Sequence, residues 1–306
     1  MTSAVSVGAF DGLHLGHRQI LSRTIARARE RAGRSVVVSF DPHPDLVLAK
    51  SFQAVAPLSP LPEKRERLAV LGVDELRVLP FTRELASLEP EEFVERHLVR
   101  PHALHALVVG VNFALGRGRS GNVPRLREIG RRLGFEVETV PLLEIGGDPV
   151  TSTRIRGALV RGRVDEAARL LGRWYALGGA VVTGDAIGRT LGVPTANLRL
   201  HDEKFLPADG IYAVWARIGS ESVRRPGAMS IGVRPTFGGQ ERTLEVHLID
   251  WSGDLLGADL EVELVDWIRP ELRFESAEAL SVAMREDLAE ARRRLAAAPA
   301  EVPQAG

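Results

Sequence analysis

The stretch "VGAFDGLHLGHRQIL", residues 7–21, decides how the first half of the chain is read. The apolar run Val5–Phe10 predicts a strand, and from His17 to Arg31 apolar positions recur at helical spacing. Between and around them stand Gly8, Phe10, Asp11, Gly12, His14, Gly16 and His17. A helix N-terminus offers unpaired N–H groups and partial positive charge, and glycine lets a phosphate approach the backbone. Imidazoles at 14 and 17 add donors for the negative charge that builds on a group in transfer. Two histidines can also do no more than cap a helix, but the longer pattern at a strand-to-helix junction favours a phosphate cradle. It is a cradle without lysine. Lysine occurs only at 50, 64 and 204, and none follows glycine, so no Walker A loop is present.

Working outward, strands and helical segments alternate. Strands are expected at Ser35–Phe40, Glu75–Leu79, His105–Gly110 and Phe135–Val140, with helices at Pro62–Leu71, Pro90–Leu98 and Val123–Leu133. That alternation predicts a Rossmann-like α/β domain with a parallel sheet. Ligands of such sheets bind beyond the carboxyl ends of the strands, which here are the junctions after Phe10, Phe40 and Gly110. "SFDPHP" (39–44) follows one of them. "VVGVNFALGRGRSGN" (108–122) follows another and presents Asn112, Phe113 and a Gly/Arg-rich stretch, suited to an aromatic ring and an anion. "VTSTRIRGAL" (150–159) places Ser152, Thr153, Arg154 and Arg156 at a helix start, where hydroxyls and guanidiniums can hold a triphosphate. Together these pieces suit in-line nucleotidyl transfer, which asks of the protein mainly positioning and charge stabilisation.

Two short helices are expected over Thr151–Leu171, broken near Gly162. The pattern then changes to apolar runs separated by Gly and Pro: "GGAVVTG", "IYAVWARI", "AMSIGV", "TLEVHLID" and "LEVELVDWI". Several short strands at this spacing predict a small antiparallel β-barrel. A helix over Ser276–Ala297 follows, with Leu280, Met284, Leu288, Ala291 and Leu295 on one face. The domains are therefore expected at 1–172 and 173–298, with a disordered tail at 299–306.

The second domain has its own constellation. In "VVTGDAIGRTLGVPTANL" (181–198), Gly184, Gly188 and Gly192 let a loop wrap close to phosphates. Thr195 and Asn197 offer neutral oxygens two residues apart, a geometry that can ligate Mg²⁺ together with phosphate. In "TLEVHLIDWSGDLLG" (243–257), Glu245 is a carboxylate inside a barrel strand, costly unless paired or functional, and placed to take a proton from a hydroxyl. Alternation puts His247 on its face, where a structural role is favoured. Arg234 and Arg269 can contact a ligand, although either is equally at home in a surface ion pair.

The composition narrows the setting. The chain has 306 residues, zero formal net charge, 44% apolar residues and no cysteine. Disulfides and thiolate metal sites are excluded, and neutral charge argues against a broad nucleic-acid or membrane surface. No run reads as a signal core or a membrane span, so a cytoplasmic location is expected, with no nucleic acid, no membrane and no obligate protein partner.

With both constellations in view, the chain resembles the bacterial bifunctional riboflavin kinase / FAD synthetase family. The resemblance runs over about residues 3 to 295 on "GAFDGLHLGH", "FDPHP", "GVNFALGRGRSGN", "STRIR", "LLGRWY", "GRTLGVPTANL", "GIYAV", "IGVRPTFGG" and "EVHLIDWSGDLLG", in family order. It implies that the barrel phosphorylates riboflavin to FMN with ATP and Mg²⁺, and that the N-terminal domain adenylylates FMN to FAD, releasing pyrophosphate. It further implies that Thr195 and Asn197 are metal and phosphate ligands, Glu245 the base, and His14 and His17 the ATP-phosphate histidines. Asn112 matches a flavin-side position, and Ser152, Thr153 and Arg154 match a second nucleotide-binding motif. The chain departs from the family pattern at Ala9, where asparagine is frequent, at Val193, where an aromatic is common, and at Leu256, where tyrosine is frequent. None of these removes a proposed catalytic group.

Other readings fit less well. A flavin-sensing regulator with idle sites would be expected to lack one of His14, His17, Asn197 or Glu245, and all are present. A tRNA-charging enzyme built on a similar histidine device would carry excess positive charge, which is absent.

Overall fold

The computed structural model describes residues 2–48, 56–184, 192–236 and 239–302, with the side chains of 234–241 outside the description. The chain divides into two compact units, Met1–Ser152 and Thr153–Gly306.

The first unit is built on a five-stranded parallel sheet in the order Glu75–Pro80, Arg34–Asp41, Ser3–Val7, Leu104–Gly110, Glu136–Val140. Ser3–Val7 is buried along its whole length, as a central parallel strand covered on both faces must be. The chain adds two strands on one side of it and then returns to add two on the other. The strand order therefore reverses beside Ser3–Val7, and a crevice opens beyond the carboxyl ends of that strand and of Leu104–Gly110. One face of the sheet packs Val5, Val7, Val36 and Leu107 against Phe93, Leu98, Leu126 and Ile129. A second cluster gathers Phe10, Leu13, Leu21, Val37 and Leu68. Ala4, Ala28 and Ala106 form a third, where small side chains let helix and sheet approach.

Boundaries differ from the sequence reading for local reasons. The first strand stops at Val7, not Phe10, because Phe10 turns to φ 46°. The first helix runs Leu15–Arg29, starting two residues early because the His14 side chain caps it, accepting from the His17 N–H at 3.2 Å. The helix expected at Pro90–Leu98 is interrupted. It runs Pro90–Val94, widens to a π turn over Glu95–Val99, and ends at Arg100–His102. A short helix, Pro44–Leu48, begins at the last residue of "SFDPHP".

The second unit opens with helices Ser152–Val160, which begins at the unit boundary, and Val164–Leu171. They pack with the barrel, Ala168 lying beside Trp174 and Ala213, so the compact unit starts about twenty residues before the boundary read from sequence. The barrel is closed, in the order Tyr175–Val182, Ala196–Leu200, Gly239–Leu248, Arg225–Thr236, Gly210–Ile218, Asp259–Arg269. Ala196–Leu200 is the strand that the apolar runs alone did not mark. The helix Ala277–Ala297, capped by Ser276, divides its apolar face: Leu288, Ala291 and Leu295 pack on the barrel, while Leu280 and Met284 line a cleft. The expected tail is partly packed. Val302 is buried beside Trp174 and Ile249, and Arg224 donates to the Ala300 carbonyl. Residues 303–306 lie outside the described residues.

Candidate active sites

In the first unit, the loop Gly8–Leu13 crosses the crevice at the end of the central strand. Phe10, Gly12 and Leu13 all have positive φ (46°, 80° and 44°). For Phe and Leu this costs of order 1–3 kcal/mol each, so the surroundings must hold the loop in place. They do so through four latches. The Asp11 carboxylate accepts from the N–H groups of Leu58 and Ser59 at 3.2 and 3.1 Å. Ser59 Oγ accepts from the Gly12 N–H at 2.8 Å. The Ser152 hydroxyl donates to the Asp11 carbonyl at 2.9 Å. Lys64 Nζ donates to the Ala9 carbonyl at 2.7 Å.

The two histidines meet at the helix start. Their rings stack with centroids 3.6 Å apart, and the Phe10 ring stands edge-on to His17 at 5.2 Å. Burial, then the neighbouring His14 and Lys64, hold the His17 imidazole well below the ordinary histidine pKa. His17 is therefore neutral at pH 7, and its Nδ1 has no hydrogen-bond partner among the described residues. Gly8 and Gly16 keep the approach narrow. A Cβ at Gly8 would lie 3.2 Å from the Phe10 ring, and one at Gly16 would lie 3.3 Å from the His14 ring.

Other expected residues are placed with different emphasis. The buried Asp11 carboxylate reaches back into the protein to hold Leu58 and Ser59. Asn112 is exposed just beyond Leu104–Gly110, at the same crevice, whereas Phe113 packs partly into the core. The Gly/Arg-rich stretch is a small hairpin, Ala114–Leu115 with Gly121–Asn122, and Asn122 caps the next helix. Ser152 starts the helix that carries Thr153 and Arg154, and Arg154 Nε approaches Glu166 at 3.4 Å in the second unit.

Sequence reasoning missed Lys64. The cradle is not free of lysine: one of the three lysines is 5% exposed beneath its loop. The available signal was position, since Lys64 precedes the buried Leu68 by one helical turn and so faces inward.

In the second unit the barrel ladder itself assembles the site. Asn197 pairs with Glu245, and Glu245 pairs with Ser230 on its other side. Residues directly opposite on neighbouring strands project to the same face, so the three form one rung. Thr195 Oγ1 donates to Glu245 Oε2 at 2.9 Å. Gly184 lies against Asn197, where a Cβ would come within 2.0 Å of Nδ2. Gly192 has φ 76°, and Gly188 lies outside the described residues. His247 Nδ1 contacts the Pro194 carbonyl at 2.7 Å, steadying the segment that delivers Thr195.

Thr195, Ser230, Glu245 and His247 line a cleft of about 570 Å³, a size suited to a small-molecule ligand. Val193, Thr195, Glu245, Arg269, Phe274 and Met284 are among its walls. Arg269 is fixed by a bidentate pair to the buried Asp287, at 2.8 and 2.6 Å, and its guanidinium lies 5.8 Å from the Phe274 ring. Asp287, Ser230 and Glu271, which accepts from the Ser230 hydroxyl at 3.2 Å, were not singled out from sequence. Val193 is buried at the cleft wall, and Leu256 is exposed. The donor set suits Mg²⁺ that arrives with a nucleotide. Thr195 and Asn197 supply oxygens beside a carboxylate, while the described residues contain no cluster of three or more His, Cys, Asp or Glu groups able to cage an ion alone.

Comparison with known proteins accounts for both halves. Residues 1–154 match the FAD synthetase family and residues 171–295 the riboflavin kinase family. A bifunctional riboflavin kinase/FMN adenylyltransferase of Pseudomonas fluorescens is 40% identical over 288 residues, spanning 94% of this chain and 91% of that one. Proteins of the same description from Listeria monocytogenes and Escherichia coli K12 are 36% and 38% identical, spanning 94% and 92% of this chain and 90% of theirs. A crystal structure from Streptococcus pneumoniae, described as a macrolide-efflux protein, superposes with a TM-score of 0.87 at 32% identity, over 95% of this chain and 94% of that one. No helix among the described residues here is long and apolar enough to cross a membrane. With an FAD synthetase domain followed by a riboflavin kinase domain, the chain belongs to the bifunctional riboflavin kinase/FMN adenylyltransferase family.

Proposed function

We propose that the barrel transfers the γ-phosphoryl group of ATP to riboflavin, and that the parallel-sheet domain then joins the resulting FMN to the AMP moiety of a second ATP. The observation that carries the kinase reading is the rung of Asn197, Glu245 and Ser230, with Thr195 bonded to Glu245; Thr195, Glu245 and Ser230 line a cleft that also holds Arg269, Phe274 and Met284.

In the first reaction Glu245 takes the proton of the ribityl terminal hydroxyl. That oxygen attacks the γ-phosphorus, and ADP leaves. Thr195 and Asn197 would hold Mg²⁺ together with the nucleotide phosphates, beside the segment in which Gly184 packs on Asn197 and Gly192 has positive φ. The ion, when bound, neutralises phosphate charge. Arg269, held by Asp287, and Phe274 orient the flavin.

In the second reaction an FMN phosphate oxygen attacks the α-phosphorus of ATP, and pyrophosphate leaves. His14, His17 and the helix start behind them hold the phosphates, and the neutral His17 ring donates without bringing a proton that must be lost. Gly8, Phe10 and Gly16 shape the approach, and Asp11 holds the loop from behind. Asn112 and Phe113 stand on the flavin side, and Ser152, Thr153 and Arg154 serve the nucleotide.

Incubating the purified chain with riboflavin and Mg-ATP, then separating the flavins, tests this. FMN followed by FAD is expected. FMN without FAD would overturn the second assignment, and conversion of added FMN but not riboflavin would overturn the first.

A further inference from the structure

Lys64 is a buried cation for which neither reaction above has a use. It sits on the helix Leu61–Val70, 5% exposed, and its ammonium donates to the Ala9 carbonyl at 2.7 Å and reaches Ser39 Oγ at 3.4 Å. Ser39 itself donates to the same carbonyl at 3.2 Å. A buried ammonium is costly to desolvate, and burial lowers the Lys64 pKa while Asp11 and Asp41 oppose that fall. Apolar packing at this position would avoid that cost. The carbonyl it holds belongs to the first residue after Gly8, where the chain enters the positive-φ loop that leads to His14 and His17.

Resting on the adenylyl-transfer reading, we propose that Lys64 is a positioning residue for that reaction: by clamping the Ala9 carbonyl it fixes the loop that brings the His14 and His17 rings onto the phosphates. The groups acting electrostatically on His17 are His14 and Lys64, so Lys64 also opposes protonation of the ring. The assignment explains Ala9. The backbone oxygen does the holding, so the side chain at that position carries no part of it.

The test uses the full-length protein, whose riboflavin kinase activity serves as an internal control. Lys64→Met should lower kcat for FMN-to-FAD conversion by about a hundred-fold, the cost of reacting groups misplaced by roughly 1 Å. FMN formation should stay unchanged. The acid limb of kcat/KM for FAD formation should also move to higher pH, because His17 loses a repelling charge. A rate within about two-fold of wild type overturns the proposal. A lower rate with an unmoved acid limb overturns it as well, since that marks general loosening. If Lys64→Met does not fold, Ser39→Ala removes the second donor to the Ala9 carbonyl, and the long contact to Lys64, while the buried charge itself stays in place. Its kcat should fall about three-fold, the worth of one neutral hydrogen bond, and an unchanged kcat overturns the proposal. A wild-type chain that converts no FMN at all overturns the parent reading, and this proposal with it.

Discussion

Thr195 Oγ1 donates to Glu245 Oε2 at 2.9 Å, so a proposed metal ligand and the proposed base of the kinase site touch directly. The bond orients the carboxylate. Glu245→Gln keeps the shape and removes the base, so FMN formation should fall about 10²–10⁴-fold. Conversion of supplied FMN to FAD should be unchanged. Initial rates of the two steps, measured separately, check both halves.

His17 makes the reverse prediction. His17→Ala should lower FAD formation by about 10²–10³-fold, the usual cost of losing one preorganised donor, and leave FMN formation intact.

The same ring ties stability to pH. His17 titrates well below its ordinary value when folded, so below about pH 6.5 the unfolded chain takes up a proton that the folded chain refuses. Its contribution to stability is therefore full above the unfolded pKa and lost as pH falls from there toward the folded one. Denaturant unfolding at pH 7.5 and 5.5 should show a smaller pH-dependent loss for His17→Asn than for wild type.

Gly184→Ala tests the ladder site from outside it. The new Cβ would fall 2.0 Å from Asn197 Nδ2, so the amide must swing away. FMN formation should drop at least about ten-fold, the scale of a catalytic group displaced by a fraction of an ångström, with FAD formation from FMN unaffected.

Arg269 and Asp287 form a largely buried pair. Removing one partner strands the other, so Asp287→Ala should destabilise the barrel domain by about 3–5 kcal/mol and weaken riboflavin binding. Asp287→Asn, which keeps hydrogen bonding, should lose less of both. Chemical denaturation and fluorescence titration with riboflavin separate the two effects.

The alternation of strands and helices in the first half and of short apolar runs in the second made the two architectures legible from sequence. The histidine motif and "PTAN" pointed to the family to which the two domains belong. What stayed hidden depends on partners distant in the chain. Asp11 looks like a ligand-facing carboxylate until Leu58 and Ser59 arrive from another loop. Lys64 looks like an ordinary helix lysine until the sheet places the Ala9 carbonyl above it. Ser230 carries no local signal, since its relation to Glu245 exists only in the register of two strands. Strand and helix ends shifted where one residue's geometry decided them, as with the positive φ of Phe10 and the cap made by His14.

The rung of Asn197, Glu245 and Ser230 has a consequence for how this enzyme can diverge. Its spacing is inherited from main-chain hydrogen bonds, which no single side-chain exchange on a neighbouring loop can rescale. Val193 and Leu256, where the chain departs from its family's pattern, both lie off that rung. If the proposed kinase site is correct, substrate preference can drift at the cleft wall, as at Val193, while the rung keeps its spacing, and variants selected for altered flavin analogues should accumulate changes around the rung and leave its three members untouched.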